Sequence, residues 1–296
     1  MKDYSEGFLE YLGMQKNMSK NTIDAYHRDV MEFSNFLSER NEADLQEASN
    51  TDIIAYLLKL KNAGKSAATV NRKIASLRTF YHYMQETSLI AVNPTVNIKS
   101  PKIERKEPEY LTVEEVDKLL SLPDHSIKGI RDKAILELLY ATGIRVSEII
   151  EANLEDINLR MGFITCTGEH GKARIIPLGR PARAAIEEYV YKSRLRLIKQ
   201  EQKEVIALFV NYIGERITRQ GIWKLLKEYA RQAGFENKIT PQTLRNSFAV
   251  HMIQNGADLK SLQELLGHED ISATQVYLSV TKNRIKDVYD RTHPRA

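Results

Sequence analysis

Residues 240–280 read TPQTLRNSFAVHMIQNGADLKSLQELLGHEDISATQVYLSV. The spacing predicts helices at about 242–255, 259–266 and 271–278. Gln242 and Arg245 stand three apart at the start of the first, and so share one face. The apolar Leu244, Phe248, Val250, Met252 and Ile253 follow. That places an arginine at the edge of an apolar stretch, with a glutamine beside it. His268 comes next, and Tyr277 nine residues later.

Upstream of this stretch, the TVEE at Thr112 has the form of a capping box and opens a helical region. Helices are expected at about 112–121, 126–142, 180–197, 218–234 and 281–290. Between them, GFITCTG (162–168) and ARIIPLG (173–179) are rich in β-branched residues and flank EHGK (169–172), which predicts a short hairpin. The first hundred residues read as all helix. Ser19 caps a run with Ile23, Tyr26, Val30, Phe33 and Leu37 at helical spacing. Thr51 is expected to cap the next helix, which stops at Gly64. Ser66 opens a third with Val70, Ile74, Leu77, Tyr81 and Met84 on its core face and Thr69, Arg72, Ser76 and Thr79 opposite. NPTVNIKSPKIERKEPEY (93–110) has three prolines, four cations and no apolar period, so it reads as an extended linker.

The chain has 296 residues and is 42% hydrophobic, enough for one or two domains with real cores. No apolar run approaches the roughly 20 residues of a bilayer span. The opening MKDYSEGFLEYL lacks an apolar signal core. Cys166 is the single cysteine, which leaves no internal disulfide framework and suits a small buried strand residue in a reducing cytoplasm. The net charge of +4 is unevenly spread. Residues 1–52 carry 5 Lys/Arg against 11 Asp/Glu, whereas residues 53–106 carry 10 against Glu86 and Glu104 alone. The second block fits either an anionic partner or a solvated face beside an acidic neighbour.

No glycine-rich phosphate loop, dinucleotide fingerprint or HExxH motif is present, and no closely spaced acids suggest a metal site. A phosphodiester substrate would then have its charge balanced by side chains, and arginine does this best through a planar fork. YATGIRVSEII places Arg145 after a glycine at a helix boundary, with Glu148 one turn on. Arg245 is a second arginine, and Lys172 stands on the hairpin turn. Taken singly, each has an ordinary reading: a helix ion pair, a turn lysine, a core tyrosine.

Taken together, TGIRVSE, the hairpin GEHGKARIIPLG and TPQTLRNSF…LLGHEDISATQVY closely resemble the catalytic domain of the tyrosine recombinases. FLEYLGMQKNMSKNTIDAYHRDVMEF and SAATVNRKIASLRTFYHYM resemble that family's N-terminal core-binding domain, and the length and closing HPRA look most like its Xer branch. The resemblance implies a mainly α chain. An all-α, SAM-like core-binding domain at 1–97 and a linker at 98–110 would precede an α-rich catalytic domain with a small antiparallel sheet at 111–296. The two domains would clamp a duplex, and the last helix would dock on a neighbouring copy.

The resemblance also implies roles. Tyr277 would attack the scissile phosphate, leaving a 3′-phosphotyrosyl link and a free 5′-hydroxyl. Arg145 and Arg245 would hold the non-bridging oxygens, Lys172 would protonate the departing oxygen, and His268 would donate to the phosphate or orient the site. Glu148 would position Arg145. DNA contacts would fall on Lys20, Lys65, Arg72, Lys73, Arg78, Arg174 and Arg219. No metal, ATP or other cofactor is implied. The partner is double-stranded DNA with an inverted-repeat-like core site, bound by a homo- or hetero-tetramer without a membrane. A second Xer-type recombinase and a DNA translocase stay open as further partners, as does the choice between chromosome-dimer resolution and a mobile-element role.

The chain departs from the family at two places. The usual P-H-x-L-R-H box reads Pro241, Gln242, Thr243, Leu244, Arg245, Asn246, so both histidines are replaced by amides. Gln242 can donate to a phosphate oxygen or accept from a tyrosine hydroxyl, but it cannot take up a proton near neutral pH. In the hairpin the first lysine of the family pattern is Glu169, while His170 stands two residues before Lys172 and is a candidate to supply an imidazole. These losses keep two readings open: an active recombinase, or a catalytically damped or inactive DNA-binding paralogue.

Overall fold

The computed structural model describes residues 4–40, 44–102, 107–168, 171–198, 205–235 and 239–281. The chain divides into two compact units, Met1–Arg105 and Lys106–Ala296. Among the described residues no helix is long and apolar enough to cross a membrane.

The first unit is built from α1 (Tyr4–Glu10, running into a π-helical turn at Tyr11–Gln15), α2 (Lys20–Glu39), α3 (Asn50–Asn62) and α4 (Ala67–Glu86). Ser19 and Ser66 cap α2 and α4 as expected, each hydroxyl accepting from the backbone N–H three residues on. Helix α3 begins earlier than expected, because Ser49 rather than Thr51 is its cap. The Ser49 hydroxyl accepts from the Asp52 N–H at 3.3 Å, and the Asp52 carboxylate accepts from the Ser49 N–H at 2.8 Å. This reciprocal pair satisfies two otherwise unpaired amides, which a cap at Thr51 would not do. Aromatic side chains fill the core: Phe8 meets Phe80 edge-on, and Phe33 packs on Tyr56 and Tyr81.

The expected core face of α4 is buried, and part of the face opposite is buried too, at Ser76, while Arg72 stays exposed. Asp29 of α2 is buried there and accepts from Arg72, from the Lys73 ammonium at 2.9 Å and from the Ser76 hydroxyl at 2.8 Å. Lys73, only 3% exposed, also reaches Glu32. Burial by itself lowers the Lys73 pKa, but the hydrogen bonds to Glu32 and Asp29 outweigh it and the net shift is upward. A buried carboxylate needs paired donors, and α4 supplies three of them within two turns. The first residues of the expected linker lie against the same helix. Arg78 donates to the Ile98 carbonyl and to the Ser100 hydroxyl, and the Asn71 amide donates to the Pro101 carbonyl.

The second unit runs α5 (Val113–Ser121), α6 (Ile127–Thr142), α7 (Val146–Glu151), β1 (Ile157–Asn158), β2 (Phe163–Thr167) and β3 (Ala173–Pro177). It continues with α8 (Arg180–Glu188), which passes through a π-helical turn into α9 (Leu195–Leu197), and then α10 (Arg219–Ala233). Helices α11 (Pro241–Gln254), α12 (Leu259–Leu266) and α13 (Ser272–Gln275) follow, and a 3₁₀ stretch covers Val276–Thr281. The Thr112 capping box forms with Glu115. The predicted hairpin is β2–β3, with Ile164 opposite Ile176 and Cys166 opposite Arg174. Strand β1 pairs antiparallel with β2 to complete a three-stranded sheet. At two residues it is too short to leave an alternating pattern in the sequence. Cys166 is buried in β2, and burial pushes its thiol up to about 12, so it stays protonated. The helix expected at 271–278 is one α-turn followed by 3₁₀. Glu169, His170 and the docking helix expected beyond Thr281 lie outside the described residues.

Candidate active site

Helix α12 ends at Gly267, which adopts a left-handed conformation and releases the helix's last carbonyls from internal bonding. Three successive carbonyls there each accept from a different arginine. Leu265 takes Arg174 Nε at 2.8 Å, Leu266 takes Arg245 Nη2 at 2.6 Å, and Gly267 takes Arg145 Nη2 at 2.9 Å. A helix C-terminus carries partial negative charge, which suits this gathering of cations. Gly267 is required sterically as well: a Cβ there would lie 2.9 Å from Arg174 Nη1. Gly143 serves similarly on the other side. It ends α6 at φ 57°, a Cβ would sit 2.5 Å from Phe248, and its carbonyl accepts from Arg245 Nη1.

Glu148 balances the group. Its carboxylate accepts a bidentate pair from Arg174 at 2.7 and 2.8 Å, Arg145 Nη1 at 3.0 Å and the Arg145 backbone N–H at 2.8 Å. Burial alone would raise this carboxyl, but the bonds from Arg174 and the Arg145 amide prevail and hold it below the usual range. Arg145 thus forms its expected pair with Glu148. Arg174, read from the sequence as a DNA contact, bonds Glu148 and the Leu265 carbonyl. A spacing of 26 residues gives no sign of such a bond.

Arg245 is buried, and desolvation followed by the like charge of Arg145 brings its pKa down to about 10, still protonated at neutral pH. Its Nη2 lies 3.0 Å from His268 Nε2. A guanidinium can only donate, so Nε2 accepts. The ring proton therefore sits on Nδ1 and is donated to Thr274 Oγ1 at 2.9 Å. Burial, then the neighbouring charges of Arg245, Arg145 and Arg174, hold His268 at about 4, so the imidazole is neutral. Its folded pKa lies below the unfolded 6.5, so the stability linked to neutral His268 is present above pH 6.5 and lost as the pH falls toward 4. Thermal melting across that interval is expected to show a smaller loss for His268→Gln than for the parent. Parallel losses would mean that this histidine titrates normally.

Tyr277, in the 3₁₀ stretch, is 3% exposed and packs with Phe248, Val250, Leu262 and Leu266. Burial raises its pKa, with Arg245 and Arg145 offsetting part of the rise, so the hydroxyl is protonated. It donates to Asn246 Oδ1 at 3.1 Å. Gln242, exposed at the start of α11, donates to the same oxygen at 2.9 Å. The glutamine expected to touch the tyrosine or a phosphate therefore meets the tyrosine's partner. Asn246 was legible in the sequence only as a departure beside Arg245.

The remaining expected residues are dispersed. Lys172 is exposed on the hairpin turn, two residues before Arg174, and among the described residues no hydrogen bond or ion pair engages its side chain. Lys20 and Arg219 are the exposed first residues of α2 and α10, and Lys65 is exposed just before the Ser66 cap. Arg72 is partly exposed but paired with Asp29, Arg78 is spent on residues 98 and 100, and Lys73 points inward.

Among the described residues the fold is mainly helical with one three-stranded sheet, and its second unit gathers Arg145 and Arg245 at the end of α12 beside the buried Tyr277. The chain belongs to the phage integrase family. The model of that family matches residues 109–284, and the family's N-terminal SAM-like domain matches residues 6–87. Tyrosine recombinase XerD of Oceanobacillus iheyensis is 45% identical over 298 residues, covering 100% of both chains. The protein of the same name from Listeria innocua is 44% identical over the same span and coverage. Among solved structures, the XerH site-specific recombinase bound to palindromic difH substrate superposes with a TM-score of 0.76 at 21% identity, covering 96% of this chain and 83% of that one.

Proposed function

We propose that this protein is a site-specific tyrosine recombinase that cuts and rejoins DNA through a 3′-phosphotyrosyl intermediate. The observation that carries the reading is the set of consecutive α12 carbonyls that hold Arg145 and Arg245 in the unit containing the buried Tyr277. The Tyr277 oxygen attacks the scissile phosphorus and releases its hydroxyl proton to water, the bond to the 5′-oxygen breaks, and that oxygen leaves as a hydroxyl protonated by Lys172. Arg145 and Arg245 donate to the non-bridging oxygens as charge grows in the five-coordinate transition state. Their forks are already oriented, so little reorganisation is needed. The neutral His268 ring gives up its bond from Arg245 and donates to the phosphate from Nε2 after its ring proton moves from Nδ1 to Nε2, with the Thr274 hydroxyl turning to donate to Nδ1. Energy is stored in the phosphotyrosyl ester, so a 5′-hydroxyl of a partner strand reseals it without ATP.

The partner is a duplex with inverted half-sites, held by four copies or by two copies each of this chain and a related recombinase, with a DNA translocase as a further partner. Exposed Lys20, Lys65 and Arg219 supply phosphate contacts. The protein acts in the cytoplasm on the chromosome or a mobile element. The test is incubation with a nicked duplex selected for binding, followed by denaturing electrophoresis. A protease-sensitive covalent protein–DNA band is the expected result. Retention of DNA without any covalent band would identify a non-catalytic DNA-binding paralogue.

A further inference from the structure

We propose that Asn246 is the positioning residue for the Tyr277 nucleophile, occupying with an amide the place where the family pattern has an imidazole. The proposal rests on the reading of Tyr277 as nucleophile. Asn246 is buried on α11, directly after Arg245, and all its polar atoms are engaged. Its Oδ1 accepts from the Tyr277 hydroxyl at 3.1 Å and from Gln242 Nε2 at 2.9 Å. Its Nδ2 donates to the Glu109 carbonyl at 2.9 Å.

That last bond fixes which end of the amide faces the tyrosine. A flipped side chain would set Oδ1 against the Glu109 carbonyl and an NH₂ against the Gln242 NH₂. The Glu109 carbonyl is itself held in place, because the Leu111 N–H two residues on donates to the Ser247 hydroxyl at 2.8 Å. The segment Glu109–Leu111 therefore sets the amide, and the amide sets the phenol. Gln242 strengthens the arrangement by sharing the acceptor oxygen.

The consequence is chemical. The acceptor facing the Tyr277 proton is an amide oxygen, which aligns the O–H bond but does not take up the proton. Among the described residues the charged groups facing Tyr277 are Arg245 on α11 and Arg145, the cap of α7. His268, bonded to Arg245, is neutral down to about pH 4. Among the described residues no group in that circle accepts a proton near pH 7. Among them the tyrosine is aimed by geometry rather than activated by a base, and the residue that aims it is Asn246.

The experiment measures the single-turnover rate of covalent adduct formation on a nicked duplex at saturating DNA, from about pH 5 to 8, for the parent, Asn246→Ala and Asn246→Asp. Asn246→Ala removes the acceptor and is expected to slow the adduct roughly 10- to 100-fold by misaligning the hydroxyl, with DNA retention unchanged. Asn246→Asp keeps an acceptor that can also take a proton. It is expected to be faster than Asn246→Ala at pH 8, and its rate relative to the parent is expected to fall as the pH is lowered and the carboxylate protonates. An Asn246→Ala rate equal to the parent's overturns the proposal. So do equal losses in both variants at every pH that track their melting temperatures, because a packing role alone produces that pattern. A parent that forms no Tyr277-dependent adduct overturns the recombinase reading itself, and this proposal with it.

Discussion

Tyr277→Phe is expected to abolish the covalent protein–DNA band while leaving DNA retention and the fold intact. The substitution removes a single oxygen. Its ring still fills the space among Phe248, Val250, Leu262 and Leu266. Asn246 Oδ1 keeps its bond from Gln242, so no buried acceptor is orphaned. The stability cost is that of one neutral hydrogen bond, about 1 kcal/mol. The chemical cost is complete, since a phenyl ring has no atom that can form the ester. The measurement is denaturing electrophoresis of parent and variant on the same nicked duplex, with native gels as the control for retention. A band of undiminished intensity in the variant would place the nucleophile on another residue.

Arg245→Lys is expected to reduce the adduct rate by at least about 10²-fold even though the charge is kept. The guanidinium reaches Gly143 O with one nitrogen, and Leu266 O and His268 Nε2 with another. An ammonium is a single point with three donors. It cannot span two carbonyls on opposite sides and still present a flat edge to a phosphate. Burial adds to the loss, because desolvation has already brought this arginine to about 10 and weighs on a lysine from a lower starting pKa. Arg245→Ala is expected to be worse still, leaving the Gly143 and Leu266 carbonyls buried without a donor. Rates at saturating DNA separate this effect from weaker binding. A lysine variant within about threefold of the parent would mean that charge alone, not the fork, is used at this position.

The two substitutions probe different parts of one arrangement, in which the end of α12 is the organising element. Its three free carbonyls hold Arg145, Arg174 and Arg245, and Glu148 balances them from the opposite side. Arg174 keeps Glu148, and through it Arg145, in place.

By itself the sequence determined the helical frame, the hairpin and the order of the site residues. Those features are local. Ser19, Ser66 and Thr112 each satisfy an amide three residues away, β-branched runs flank a turn, and Arg145–Glu148 and Gln242–Arg245 lie within one helical turn. Only the tertiary structure decided what each side chain faces. Nothing near Lys73 or Ser76 in the chain announces that Asp29, more than 40 residues earlier, draws both side chains inward. Nothing near Arg174 announces Glu148. Gln242 had two stated partners, a phosphate or the tyrosine, and its actual partner is Asn246, four residues on, whose oxygen already holds the Tyr277 hydroxyl. Helical spacing states which residues share a face. The element packed against that face, and the buried charge it brings, is settled by long-range packing.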